Sequence, residues 1–332
     1  MRLAINGFGR IGRIAYRSIR RSERDLDLVA VNDLTDATTL AHLLEYDSVH
    51  GRLGVDARAE NGKLRVGDDV IQVVSEPDPA RLPWGELGVD VVIESTGLFR
   101  DRDKAAMHLA AGARKVIISA PGKDCDIMVV MGVNEDLIEA GHDVISNASC
   151  TTNCVAPMAK VIMDSVGWVH GLMTTTHAYT ASQNMLDTPS KDLRRARAGA
   201  LSMIPTTTGA AKAAALVLPE LTGKIDGMAI RVPIPDVSLV DLTVEVERPT
   251  DAEKINAAFR EAVKGRLAGV LAVSDEPLVS VDYISTTDSA TVDALSTSVI
   301  DGTLVKVLAW YDNEMGYATR LVDLAEYLGK FL

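Results

Sequence analysis

The sequence predicts an α/β fold in two parts: an open, mostly parallel sheet at the N-terminus, then a mixed-sheet α+β domain. Three observations predict it. Residues 2–33 read as strand, glycine turn, helix, strand and acid. Further buried-type strands at 89–94, 115–119 and 144–146 end in small polar residues, the habit of a parallel sheet with ligand contacts at its carboxyl edge. From Val237 onward, alternating strands and amphipathic helices replace that pattern. A length of 332 residues accommodates two cores.

Composition narrows the function classes. Apolar residues make up 47% and charged residues 24%, ordinary for a globular chain and enough to oppose disorder. With 34 Lys and Arg against 46 Asp and Glu, the net charge is −12, which argues against a broad nucleic-acid footprint. No stretch approaches the ~18 consecutive apolar residues of a membrane span. The N-terminal segment has no long apolar signal region. The three cysteines, Cys125, Cys150 and Cys154, are too few and too oddly spaced for a disulfide framework, so a reducing, cytoplasmic setting is expected.

The first unit carries a G-x-G-x-x-G turn at Gly7, Gly9 and Gly12, and Asp33 follows Gly12 by 21 residues. Gly7 permits the tight turn. Gly9 lets a pyrophosphate approach the backbone, and Gly12 lets the helix pack on the strand. Free amides and the helix dipole favour the anion. Asp33 can accept hydrogen bonds from a ribose 2′-hydroxyl and would repel a 2′-phosphate. A Rossmann dinucleotide-binding domain follows from the whole unit. Asn61-Gly62 and Gly67-Asp68 mark a hairpin-rich excursion over 58–79. A helix is expected from Asp103 to Ala111. Ser95, Thr96 and Ser119 lie at strand ends, where turn chemistry and ligand contact are both open.

Residues 144–154 are the most informative stretch. A strand runs into Ser146-Asn147-Ala148-Ser149-Cys150-Thr151-Thr152-Asn153-Cys154 and then into a helix expected over 155–166, with Cys150 at or near its start. Ser149 is a possible cap, and the positive helix end stabilises a thiolate. Cys154, one turn on, and Cys125 read as small buried hydrophobes. The candidate base for Cys150 is His177, which ends the β-branched run Thr174-Thr175-Thr176. For His42, His50, His108, His142 and His170, surface or capping roles fit better. The basic cluster Lys191, Arg194, Arg195 and Arg197 reads either as a solvated or subunit-bridging face or as an anion site. Thr206 to Lys212 offers hydroxyls and amides before a helix. Arg231, in an apolar setting, needs an anionic partner. No cluster has metal-ligand spacing. A half-exposed strand is expected over 237–246, a helix over 251–264, a hairpin around Asp301-Gly302, and a terminal helix over 316–332.

These motifs resemble those of phosphorylating glyceraldehyde-3-phosphate dehydrogenases. The resemblance is carried by Asn6-Gly7-Phe8-Gly9-Arg10-Ile11-Gly12, Ser149 to Cys154, Asp192-Leu193-Arg194-Arg195-Ala196-Arg197 and Trp310-Tyr311-Asp312-Asn313-Glu314. It implies a homotetramer that converts glyceraldehyde 3-phosphate, inorganic phosphate and NAD to 1,3-bisphosphoglycerate and NADH. It divides the chain into an NAD-binding domain (1–149), a catalytic domain (150–314) and a C-terminal helix packing back on the first domain (315–332). Cys150 is then the nucleophile and His177 the base. Thr180 and Arg231 hold the substrate phosphate; Ser149, Thr151, Arg195, Thr208 and Gly209 hold the attacking one. Gly7, Gly9, Arg10, Ile11, Gly12, Asp33, Ser95, Thr96, Gly97, Ser119, Asn313 and Tyr317 contact NAD, and the loop from about 179 to 201 meets another subunit.

Leu34 and Pro189 look NAD-type. Ala181 and Ser182 replace an amide and an acid usual in bacterial members, and Thr188 stands where a larger apolar residue is common, which bears on exclusion of NADP. Erythrose-4-phosphate dehydrogenase shares the scaffold but diverges around the histidine strand and the Thr-Gly segment. A sensor that has lost catalysis is opposed by the intact Cys150, His177, Arg195 and Arg231.

Overall fold

In the computed structural model, which describes residues 1–22 and 24–332, the first apolar run forms β1 (Arg2–Asn6), fully enclosed from Leu3 to Ile5. After the glycine turn come α1 (Arg10–Arg21) and β2 (Asp27–Asn32), which lies parallel to β1. Next follow α2 (Ala37–Glu45), capped by Asp36, and the short pair β3 (Tyr46–Asp47) and β4 (Gly51–Arg52). The excursion over 58–79 is built from β5 (Ala57–Glu60), β6 (Lys63–Val66) and β7 (Asp69–Val74). Asn61 and Gly62 turn it with φ of 51° and 74°, the left-handed pair of a tight hairpin. β7 then joins the main sheet parallel to β2, so the excursion extends the sheet.

β8 (Val91–Glu94) pairs with β1 on the side away from β2. The helix expected over 103–111 is two short pieces, α3 (Arg102–Ala105) and α4 (Met107–Ala110). Between them the Ala106 N–H is shared by the Arg102 and Lys104 carbonyls, which tightens the turn and interrupts the ladder. β9 (Lys115–Ile118), β10 (Ile127–Met128) and β11 (Val144–Ser146) complete a nine-stranded sheet in the order β10-β11-β9-β8-β1-β2-β7-β6-β5. Seven strands from β10 to β7 run parallel, and β8 and β9 are buried throughout. The strand order reverses direction between β1 and β8. A parallel sheet opens a crevice at such a point, outside the carboxyl ends of the strands.

A second unit comprises Ser149–Tyr317 with Val130–Glu135; the first holds Met1–Val129, Asp136–Ala148 and Ala318–Leu332. α5 (Cys150–Val166), capped by Ser149, starts five residues before the helix start expected at Val155. There follow β12 (His170–Ala178), β13 (Ile204–Thr207), α6 (Ala210–Val217), β14 (Ile225–Val232), β15 (Ser238–Glu245), α7 (Ala252–Ala262), β16 (Leu271–Ser274), β17 (Ala290–Ile300) and β18 (Leu304–Tyr311). The sheet order is β13-β14-β12-β15-β18-β17-β16, with parallel and antiparallel pairs mixed. α5 packs on α6 and α7, and burial alternates residue by residue along β15 and β18. One face of the sheet therefore carries the core, and Leu172, Met228 and Leu304 stand exposed on the other. The last helix, α8 (Met315–Leu328), belongs to the first unit from Ala318 onward.

The glycine turn separates two demands. A Cβ on Gly12 would lie 2.3 Å from the Gly7 carbonyl oxygen, whereas one on Gly9 would meet nothing within 4 Å. Gly12→Ala should therefore cost about 1–3 kcal/mol of stability through overpacking, and Gly9→Ala should keep the wild-type denaturation midpoint. Urea titration of both variants checks this; equal midpoints would refute the packing role of Gly12.

Candidate active site

A cleft of about 330 Å³ opens at the reversal point of the first sheet, lined by Gly7, Gly9, Asp33, Leu34, Ser95 and Thr96 among others. Gly7 has a φ of +90°, and a Cβ there would strike the Thr96 backbone. The turn is braced by the Gly7 N–H donating to Asn32 O, and by the Ser95 hydroxyl donating to Gly7 O at 2.6 Å. Asp33 accepts from Phe8 N and Thr35 N, both at 2.9 Å, and so holds its carboxylate at the cleft wall. Gly9 caps α1 without a side-chain hydrogen bond, leaving open space above the helix start. These features fit a dinucleotide: a side-chain-free approach to a helix N-terminus with an acid where a ribose would lie. Arg10 is ion-paired with Asp47, and the Ser119 N–H donates to Glu94 O. Ile11 is half-buried, and Gly97 has a φ of +75°.

In the second unit the start of α5 presents the thiol. The Ser149 hydroxyl accepts from Thr152 N at 3.1 Å, a cap worth about 1 kcal/mol. Cys150 is half-buried, and its Sγ lies 3.5 Å from His177 Nε2. The imidazole is oriented from behind: Nδ1 donates to Ala178 O at 2.7 Å, which leaves Nε2 as the acceptor facing the thiol. Arg231 Nη1 donates to the same carbonyl at 3.0 Å and sits 3.0 Å from Nδ1. Burial, then the Arg231 charge, pushes the His177 pKa down to about 3, so the imidazole is neutral at rest. Burial pushes the Cys150 thiol up. The Arg231 charge, the Thr151 hydroxyl and the first amides of α5 pull it back. Cys154 is fully enclosed against Met158, and burial raises its thiol well above the ordinary range. Burial also raises the half-buried Cys125.

Other polar groups with anion-binding character lie in the same unit. Arg195 Nε donates to Thr206 Oγ1 at 2.9 Å, and Thr206 in turn donates to Asp192 at 2.8 Å. The Arg195 charge reaches both His177 and Arg231. The Thr208 hydroxyl accepts from Ala210 N, and Gly209 caps α6. Thr180 Oγ1 and Ser182 Oγ are 2.9 Å apart. Asn313 accepts from Ser238 Oγ at 2.6 Å, and Tyr317 is buried.

Sequence reasoning missed several supporting residues. Tyr311 OH bridges the hydroxyls of Thr151 and Thr175 at 2.8 Å each, and its ring meets His177 edge-on at 6.0 Å. The Thr151 hydroxyl is thus turned toward Tyr311 in a buried cluster. Ser238 ties Ala178 N to Asn313, and Asp192 with Thr206 steadies Arg195. Tyr311 lies inside a motif that was legible; its hydroxyl's partners were not. His108, expected at a surface or cap, is completely buried between Trp84 and Glu94. His142 accepts from Glu139 N across a turn and caps no helix.

Comparison with known proteins agrees with both halves. Residues 1–102 match the model of the glyceraldehyde 3-phosphate dehydrogenase NAD binding domain, and residues 149–313 match that of the C-terminal domain. The chain is 60% identical over 329 residues to glyceraldehyde-3-phosphate dehydrogenase of Geobacillus stearothermophilus, covering 99% of this chain and 98% of that protein. It is 57% identical to glyceraldehyde-3-phosphate dehydrogenase 1 of Bacillus subtilis, again over 99% and 98%. It is 55% identical to the Mycobacterium avium enzyme of the same name, over 100% and 99%. With a glycine turn, an acid and a capped thiol beside a neutral imidazole in these matched domains, the chain belongs to the glyceraldehyde-3-phosphate dehydrogenase family.

Proposed function

We propose that this chain oxidises glyceraldehyde 3-phosphate and captures the acyl group with inorganic phosphate, reducing NAD. The observation that carries the reading is the 3.5 Å approach of Cys150 Sγ to His177 Nε2, with Nδ1 committed to Ala178 O. His177 accepts the thiol proton, Cys150 attacks the aldehyde carbon, and His177 returns that proton to the carbonyl oxygen to give a thiohemiacetal. His177 next takes the hydroxyl proton as the C–H bond is broken, leaving a thioester on Cys150. The amides at the start of α5 favour the developing oxyanion. Phosphate attacks the thioester carbonyl, and the Cys150 thiolate leaves.

NAD, held by Gly7, Gly9, Arg10, Ile11, Gly12, Asp33, Ser95, Thr96, Gly97, Ser119, Asn313 and Tyr317, supplies the hydride acceptor when bound. Ser95 acts on the turn through Gly7 O. Thr180 and Arg231 bind the substrate's phosphate; Ser149, Thr151, Arg195, Thr208 and Gly209 serve the attacking phosphate. For Thr151 the hydroxyl bond to Tyr311 leaves the backbone N–H as the better donor. A homotetramer is supported by Met185, Leu186, Leu193, Leu201 and Met203, each about three-quarters exposed or more. Three free thiols suit a reducing, cytoplasmic setting. Among the described residues no helix is long and apolar enough to cross a membrane.

Arg231→Leu should raise KM for glyceraldehyde 3-phosphate about 10- to 100-fold, the worth of an ionic hydrogen bond. The same variant has a second readout. The Arg231 charge lowers the Cys150 pKa, so its removal raises that pKa. The pH profile of alkylation by neutral iodoacetamide should move to higher pH. An unmoved profile with unchanged KM would refute both roles.

Asp33→Asn keeps an acceptor for Phe8 N but removes the charge facing a 2′-phosphate. The NADP/NAD ratio of kcat/KM should rise at least about tenfold, roughly 1.4 kcal/mol of discrimination. A ratio equal to wild type would place discrimination elsewhere.

A further inference from the structure

We infer that Glu94 is a positioning residue for the cofactor: a buried carboxylate that fixes the spacing of the two walls of the nucleotide cleft. The inference rests on the dinucleotide reading of that cleft. Glu94 ends β8 and is 1% exposed. An isolated carboxylate so deep is costly unless every lone pair is used. Here all are. Oε1 accepts from Thr96 N at 2.8 Å and from the Thr96 hydroxyl. Oε2 accepts from Asn6 Nδ2 at 2.5 Å and from His108 Nε2 at 3.1 Å.

The proton positions follow from the far end. Trp84 Nε1 can only donate, and it donates to His108 Nδ1 at 3.0 Å, so His108 carries its proton on Nε2 and gives it to Glu94. Asn6 Oδ1 in turn accepts from Asn32 Nδ2 at 2.7 Å. Asn32 closes a two-way pair with Glu76, donating to its carbonyl and accepting from its N–H, both at 2.9 Å. The chain Trp84–His108–Glu94–Asn6–Asn32–Glu76 thus runs under the cleft. Thr96 forms one wall of the cleft, Asn6 and Asn32 its floor, and Glu76 the other wall. Nothing in the reaction uses these groups, yet their hydrogen bonds converge on the Glu94 carboxylate from both sides, and each bond to it is donated.

The directionality makes an amide a poor substitute. In Glu94→Gln, an NH2 in the place of Oε2 would face the Asn6 amide and the His108 N–H, and Trp84 prevents the other tautomer. An NH2 in the place of Oε1 would face the Thr96 N–H. Either choice sets donor against donor and releases one wall.

The test is steady-state kinetics on the full chain, with NAD and glyceraldehyde 3-phosphate varied separately, and NAD affinity by calorimetry. Glu94→Gln should raise KM and Kd for NAD at least tenfold while KM for glyceraldehyde 3-phosphate stays within twofold. Asn32→Ala, which cuts the strut at the opposite wall and leaves the carboxylate intact, should show the same split and guards against misfolding of the first variant. If Asn32→Ala, or a folded Glu94→Gln, binds NAD as wild type does, the inference is overturned. It is equally overturned if both KM values rise together, because that is general destabilisation. If the wild-type chain itself does not bind NAD, the dinucleotide reading fails instead.

Discussion

The bond from His177 Nδ1 to the Ala178 carbonyl is the constraint on which the reactive site depends. It decides which imidazole nitrogen carries the proton, and so leaves Nε2 free to accept from Cys150. A rotated ring or the other tautomer would present an N–H to the thiol and remove the base. Arg231 shares the carbonyl and adds a positive charge 3.0 Å from Nδ1. That charge opposes an imidazolium and favours a thiolate, so the resting pair sits between two opposed effects.

Sheet register produces this arrangement. In the parallel pairing of β12 and β14, His177 lies opposite Arg231 and Ala178 opposite Val232. Side chains alternate faces along a strand, so a slip of one residue would send Arg231 to the far side of the sheet. The antiparallel partner β15 brings Ser238 to the Ala178 N–H, and β18 brings Tyr311 beneath Thr151 and Thr175. The thiol arrives from another direction, on the capped first turn of α5. Backbone pairing over four strands and a single serine cap thus converge on one sulfur–nitrogen distance.

Much of this was legible in the chain. The order of strand, Gly7, Gly9, Gly12, helix and Asp33 reads directly, because each glycine answers a local steric demand. Ser149 before Cys150 reads as a cap for the same reason, although the small residues of the first turn hid the true helix start. What was not legible is partnership across distance. Nothing in the spacing shows that His177 meets Cys150, or that Tyr311 joins Thr151. His108 looked like a surface histidine because its partners, Trp84 and Glu94, come from separate stretches of chain and meet it only when α4 packs back on the sheet. The break at Ala106 depends on how its N–H is shared between two carbonyls, which a helical pattern does not encode.

In the proposed reaction, oxidation stops at a thioester on Cys150 until phosphate arrives. Rapid mixing with NAD and glyceraldehyde 3-phosphate in phosphate-free buffer, followed by mass spectrometry of the quenched chain, tests it most directly. The expected result is a burst of NADH approaching one equivalent per chain, an acyl adduct on the peptide bearing Cys150, and steady turnover only after phosphate is added. A burst without an adduct, an adduct on Cys125 or Cys154, or full turnover without phosphate would contradict it.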